Sequence, residues 1–416
     1  MSTLIAGWSS PVARQAHNLK VIGSNPIPAT NFSPDRNIRL FLCLVTNRNT
    51  DMQFATTHLS YCMNVHPAST LDEVLNNLKS FTLPISKNVS DGQPFGVGLW
   101  LPASSIQSLK EDITPLKNCL QENNLYLFTI NGFPYGPFHG EEVKQKVYKP
   151  DWTEDKRVEY TIDLMDIMAA LLPEGITGSI STVPVGYAKE SYDGAMENII
   201  KVADHARKIY AETSKKIFLA LEPEPDCFLE NTQESIDFFN KLRKLDSNID
   251  EFVGLCFDTC HFALQNEHLL ESYKAIENSG ITIAKIQVSA ALVCENEQSE
   301  APKFLSSYDE KVYLHQTRVI NDGVISEVYP DLGPALKDNK PGKWLVHFHV
   351  PLPFESNGPL SSTSATITNE FLKHAVKSCP NIEIETYTFD VQPEQDDSIV
   401  DSITSEFNWL IQRYNQ

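Results

Sequence analysis

From Leu59 to the C-terminus the chain alternates short apolar runs with longer amphipathic ones, and no other feature narrows its possible folds as much. Strands are predicted over Leu59–Val65, Phe95–Leu101, Leu125–Asn131, Gly178–Val183, Ile217–Glu222, Phe252–Asp258, Ile283–Ser289, Trp344–Val350 and Ile382–Thr386. Most are separated by stretches with helix-start signals. Thr70 with Glu73 reads as a capping box ahead of Leu71, Val74, Leu75 and Leu78. Asn231 with Glu234 opens a second helix, and Thr153 with Glu154 and Asp155 a third, running through Ile162, Met165 and Met168. Strand–helix repetition without a Gly/Ser-rich linker specifies a parallel sheet covered by helices. An open sheet of this kind would call for a glycine-rich crevice, which is absent, so the expected fold is an α/β (β/α)8 TIM barrel forming a single domain over residues 52–416. Nine candidates compete for eight places. Either Ile283–Ser289 or Trp344–Val350 is an addition, or an end strand lies outside the barrel.

Residues 1–51 differ in kind, with five basic and two acidic side chains and no helical periodicity. Their AGWSSPVARQAHNLKVIGSNPIPAT stretch reads like the in-frame translation of an initiator transfer-RNA gene, so translation is expected to start at Met52, the segment before it being spurious or else a disordered extension. The body then carries a formal charge of −23 within a total of −20. That balance excludes a phosphate-tracking surface and disfavours nucleic acid as a partner. The longest apolar run is far short of the ~20 residues needed to cross a bilayer. The eight cysteines form no CxxC pair and follow no secretory signal, which predicts a soluble cytoplasmic protein with reduced thiols.

Alternate strand residues face opposite sides, so each strand divides into a helix-facing and a barrel-facing set. The second set is polar: Asn64 and His66, Thr129 and Asn131, Ser179 and Ser181, Asp258, Lys285 and Gln287, His347 and His349, Glu383 and Glu385. A barrel built only for stability fills its interior with aliphatic side chains, because buried charges are costly unless paired or metal-bound. The alternative to a site is a polar network that satisfies itself. Glu222 ends an apolar strand stopped by Pro223, placing it to bind a hard cation or move a proton, whereas Glu224 reads as a solvated loop charge. Asp258 ends another strand three residues before His261, which is placed to contact substrate. Glu222, Asp258, His349 and Glu385 form three oxygen donors and one nitrogen, a set suited to Mn²⁺, Mg²⁺, Co²⁺ or Zn²⁺. The long loop from Gly132 to Trp152, with Phe133, Tyr135, Phe138 and His139, either covers a pocket or packs over the barrel mouth. Trp100 is placed to line the same cavity, and the Tyr313–Arg318 stretch is a weaker candidate.

Glu222 and the GLCFDTCH and IEIET runs resemble the strand-end motifs of the xylose-isomerase-like TIM-barrel superfamily of sugar isomerases, epimerases and abasic-site endonucleases. More closely, SYCMNVHP, TINGFPYGPFHG, GSISTVP, LALEPEP, YLHQT, VHFHVPL and ETYTF resemble the EboE family of metabolite traffic proteins, from about His58 onward. The superfamily resemblance implies a divalent metal held by Glu, Asp, His and Glu, with Glu222 and Glu385 shuttling a proton beside a sugar carbonyl. Gln287 stands where the histidine ligand of that pattern is expected, and His349 lies well downstream. His66, Trp100, Asn131, His139, Lys285, Gln287 and His347 are the expected substrate contacts, with Lys285 or His261 steadying an oxyanion. The EboE resemblance implies a polar or sugar-like metabolite precursor and protein partners in an export pathway. A non-catalytic carrier using the same pocket is the rival reading.

Overall fold

The computed structural model describes residues 53–54, 57–189, 192–393 and 397–416. The expected extension 1–51, with Cys43, lies outside the described residues. Seven parallel strands follow in chain order: β1 (Thr57–Tyr61), β2 (Phe95–Trp100), β3 (Leu125–Asn131), β4 (Gly178–Thr182), β5 (Ile217–Leu221), β6 (Val253–Asp258) and β7 (Ile283–Val288). Five strands of a separate antiparallel sheet come next: β8 (Ala291–Glu295), β9 (Thr317–Asn321), β10 (Val324–Tyr329), β11 (Lys343–His349) and β12 (Leu360–Ser362). The chain then returns as β13 (Asn381–Ile384), which lies between β7 and β1 and is parallel to both. A parallel bridge between Cys62 and Gly98 draws β1 to β2 and nearly closes an eight-stranded barrel. Glycine is required at that seam: a Cβ on Gly98 would overlap the Glu383 carboxylate and lie 2.9 Å from the Tyr61 carbonyl oxygen.

The predicted helix starts are present. Glu73 N–H donates to Thr70 Oγ1 and Thr70 N–H to Glu73 Oε2, completing the capping box, and Glu234 N–H donates to the Asn231 side chain at 3.0 Å. The third helix begins one residue later than its signal, at Asp155. Eight of the nine predicted strands are barrel strands. Trp344–Val350 is the exception, because its segment pairs antiparallel with β8 and β9 in the inserted sheet, so the hydrogen-bonding edge and not the apolar pattern decides which layer it joins. The described cysteines are free and buried.

The barrel interior is polar in layers. At the lower level Ser179 Oγ donates to Thr129 Oγ1 at 2.9 Å and Asn381 Nδ2 donates to Ser179 Oγ at 3.0 Å. Above it Lys285 Nζ lies 2.5 Å from Glu383 Oε2 and donates to Ser181 Oγ at 3.1 Å, a fully buried ion pair whose charges are tolerable only because each neutralises the other. One residue pair further along the strands come Glu222, Asp258 and Glu385, and among the described residues no lysine or arginine forms an ion pair with them.

Candidate metal centre

Each carboxylate is set by the end of a strand. Glu222 follows β5, where Pro223 interrupts the ladder; Asp258 is the last residue of β6 and caps the helix Thr259–Leu264; Glu385 follows β13. Their relative exposures are 3%, 0% and 4%, and one oxygen of each lies within 4.8 Å of the others. Asp258 Oδ1 accepts from Ser289 Oγ at 2.6 Å and from the His261 amide at 3.0 Å, while Oδ2 has no partner. Glu385 Oε1 accepts from Asn64 Nδ2 at 2.8 Å and Asn131 Nδ2 at 3.3 Å. Glu222 Oε2 has no partner.

The electrostatics follow from burial and mutual repulsion. Burial, then the Asp258 charge, pushes Glu222 well above the usual carboxylate range; burial, then Glu222 and Asp258, does the same to Glu385. Burial also works against the Asp258 charge, but His261 and His349 together with the Ser289 and His261 hydrogen bonds outweigh it and hold Asp258 below its ordinary value.

Three imidazoles border this cluster. His261 Nδ1 donates to the Pro223 carbonyl at 2.9 Å and His349 Nδ1 to the Glu385 carbonyl at 3.1 Å, since a carbonyl can only accept. Gln316 commits its amide nitrogen to Tyr148 and Pro225, so its Oε1 accepts from His347 Nδ1 at 2.7 Å. The Nε2 atoms therefore carry lone pairs, and they converge: His347 Nε2 lies 3.1 Å from His261 Nε2 and 3.2 Å from His349 Nε2. Facing lone pairs at that distance call for a shared proton or a cation. Burial lowers His347 well below its ordinary value and His349 to about 4, which favours the neutral, ligand-competent ring.

Four overlapping donor groups result: first Glu222, Asp258 and Glu385, then Asp258, His261 and His349, then Glu224, His261 and His347, and last Cys260, His347 and His349. The unpartnered oxygens of Glu222 and Asp258 fit a hard or borderline divalent cation in the first set.

Glu224 is corrected from a solvated charge to a site residue. It is 7% exposed, Tyr148 Oη donates to its Oε1 at 2.7 Å, and burial lifts it to about 7. Glu224 opens the turn Glu224–Cys227, closed by Cys227 N–H to its carbonyl at 3.2 Å, and its carboxylate lies 3.8 Å from His347 Nδ1, an inward placement that a charge following a proline does not reveal in sequence.

Glu222, Glu385, His261, Asn131 and His347 line one cavity of about 50 Å³, together with Asn64, Glu224 and the aromatic side chains Phe133, Phe138, Tyr148, Tyr313 and Tyr387. Several other expected contacts sit just outside that wall. His66 stacks on Phe81 and bonds Tyr61 Oη at 3.0 Å; Trp100 Nε1 donates to the Pro134 carbonyl at 3.0 Å; His139 joins the Asn64 carbonyl at 2.6 Å to Tyr313 Oη at 2.9 Å. Trp100 and His139 thus anchor the Gly132–Trp152 loop over the mouth, whereas His66 packs beside β1. Lys285 is held in its ion pair below, and Gln287 accepts from the Cys256 thiol at 2.9 Å with its Nε2 unpartnered. Asn64 reads in sequence as barrel-facing but not as a contact, and Tyr148, in the short helix Lys144–Tyr148 of the covering loop, carries no strand-end signal.

Eight parallel strands with helices between them and a polar site at their C-terminal ends define a TIM barrel. The xylose isomerase-like TIM barrel family model matches residues 96–330, more than half of the chain, and the chain belongs to that family. No curated protein matches it. Among solved structures it is similar to a xylose isomerase-like TIM barrel protein from Mycobacterium smegmatis in complex with magnesium, at 12% identity over 86% of this chain and 97% of that one, TM-score 0.49. It is also similar to the IOLI protein with a zinc atom, at 12% identity over 86% and 98%, TM-score 0.47. A xylose isomerase domain protein from Salmonella typhimurium LT2 shares 12% over 88% and 100%, TM-score 0.43.

Proposed function

We propose that this protein is a divalent-metal-dependent isomerase or epimerase acting on a small, polar, sugar-like molecule, in the EboE-like metabolite-handling branch of its family. The observation that carries this reading is the buried carboxylate triad Glu222, Asp258 and Glu385, held within 4.8 Å with two oxygens left unpartnered. Such an arrangement opposes folding unless a cation or protons neutralise it. A bound divalent ion would supply Lewis acidity to a substrate carbonyl. Glu222 and Glu385, both lining the cavity, would take and return a proton, on adjacent carbons of the substrate in an isomerisation or on opposite faces of one carbon in an epimerisation. Asn64 and Asn131 orient Glu385 through its Oε1, and His261 presents its Nε2 to the cavity while Pro223 fixes its ring. Phe133, Phe138 and Tyr387 fence the cavity, excluding water and offering apolar faces to a sugar ring. Protein partners are an expectation of the EboE resemblance and a cytoplasmic location one of the cysteine pattern, and no described helix is long and apolar enough to cross a membrane.

The test has two parts. Protein purified without added ions is expected to carry or take up about one or two equivalents of Mn²⁺, Mg²⁺, Co²⁺ or Zn²⁺, as the overlapping donor groups allow. In deuterated water it should then exchange a carbon-bound proton of an aldose or ketose from a defined panel. Absence of both metal and exchange would sink the enzyme reading and favour a non-catalytic carrier.

A further inference from the structure

Asn64 lies in the single turn Met63–Val65 that follows β1, is 2% exposed, and borders the cavity beside Asn131 and Glu385. Its Nδ2 donates to Glu385 Oε1 at 2.8 Å. That contact fixes the amide, since turning it over would set two acceptors against each other. The backbone of the same residue is pinned by His139, whose Nε2 meets the Asn64 carbonyl at 2.6 Å. Oδ1 is left with no hydrogen-bond partner although it is buried. A buried amide oxygen without a donor is costly to leave unpaired, so a donor that arrives with the ligand has a strong preference for this place.

We propose that Asn64 Oδ1 is a substrate subsite that accepts a hydrogen bond from a hydroxyl of the bound molecule. The proposal rests on the reading of the cavity as a polar small-molecule site. The lining favours a hydroxyl over an anionic group: it contains Glu222, Glu224 and Glu385, and its one ammonium, Lys144, is bound to Asp331 at 2.7 Å. Both ends of one amide would then be in use, Nδ2 on the carboxylate that moves the proton and Oδ1 on a hydroxyl of the molecule that receives it. Asn64 would thereby read the configuration of the substrate next to its reacting carbon.

The experiment uses the full chain loaded with Mn²⁺, and measures binding of D-fructose and its monodeoxy analogues to wild type and to Asn64→Ala. One analogue should bind wild type about five- to tenfold more weakly than the parent sugar, the worth of one neutral hydrogen bond. In Asn64→Ala the parent should fall to the level of that analogue and the ratio should approach one. A merely structural role acting through Glu385 would weaken parent and analogue alike, leaving the ratio intact, and that result overturns the subsite. Should Asn64→Ala fail to fold, Asn64→Ser is judged by the same ratio. If wild type takes up Mn²⁺ but binds no member of the series, the sugar reading fails and the subsite with it; a persistent ratio in the variant rejects the subsite alone.

Discussion

Replacing Glu222 by glutamine is predicted to stabilise the metal-free protein and to weaken its stabilisation by metal. Glu222 is fully buried beside Asp258, and its carboxyl is pushed well above its ordinary value of 4.5. The sign follows from proton counting. Above pH 4.5 the unfolded chain releases this proton while the folded chain keeps it, so stability is full below that point and falls as pH rises toward the folded value. Each pH unit is worth about 1.4 kcal/mol, so by neutral pH the cost reaches at most about 3.5 kcal/mol. A glutamine side chain in its place has no such proton to release and escapes the cost. A cation that binds only the folded state adds about 2.7 kcal/mol at a hundredfold excess over its dissociation constant, and the Glu222→Gln variant offers one anionic ligand fewer to receive it. Urea unfolding after EDTA dialysis, at about pH 5 and pH 8, with and without Mn²⁺, measures all four quantities. The variant should match wild type at the lower pH, exceed it at the higher pH without metal, and fall below it once Mn²⁺ is added. An EDTA-treated variant less stable than wild type at the higher pH, or one equally stabilised by Mn²⁺, would refute the repulsive-triad argument.

Three further outcomes are expected. Lys285→Met leaves Glu383 buried without its countercharge and should cost about 3–5 kcal/mol in urea unfolding, an effect relieved in the double variant with Glu383→Leu. His349→Leu should weaken Mn²⁺ binding about tenfold or more by calorimetry, whereas Gln287→Ala, whose amide faces Cys256, should change it far less. Glu406 of the final helix is 1% exposed, is lifted by burial to about 7, and accepts from both Leu352 N–H and Thr386 Oγ1. Its protonated state stabilises the fold fully below pH 4.5 and that stability is lost as pH climbs to about 7; Glu406→Gln should flatten this dependence, read from melting curves across the range.

Period-two and period-3.6 patterning made the barrel legible in sequence, because burial on both faces of a parallel strand leaves a continuous apolar run with a short polar end. Glu222 and Asp258 could be singled out for the same reason, each standing at the point where such a run stops, while Glu385 shows as the last inward position of an alternating Ile/Glu strand. His347 and His349 showed their shared face through the single residue between them, but not the layer they belong to. They reach the site from β11 of an inserted antiparallel sheet, and a strand's membership of a sheet is fixed by hydrogen bonds to partners distant in sequence, here Ala291–Glu295.

Local chemistry thus determined which segments become strands, where helices begin and which carboxylates end the strands, since these depend on neighbours a few residues apart. Tertiary structure alone decided that Glu224 turns inward, that Asn64 grips Glu385 across 321 positions, and that the Nε2 atoms of His261, on the helix after β6, and of His347 and His349, on β11, meet. Contacts of that kind depend on how closed layers pack in space, and a residue's neighbours along the chain carry no record of it.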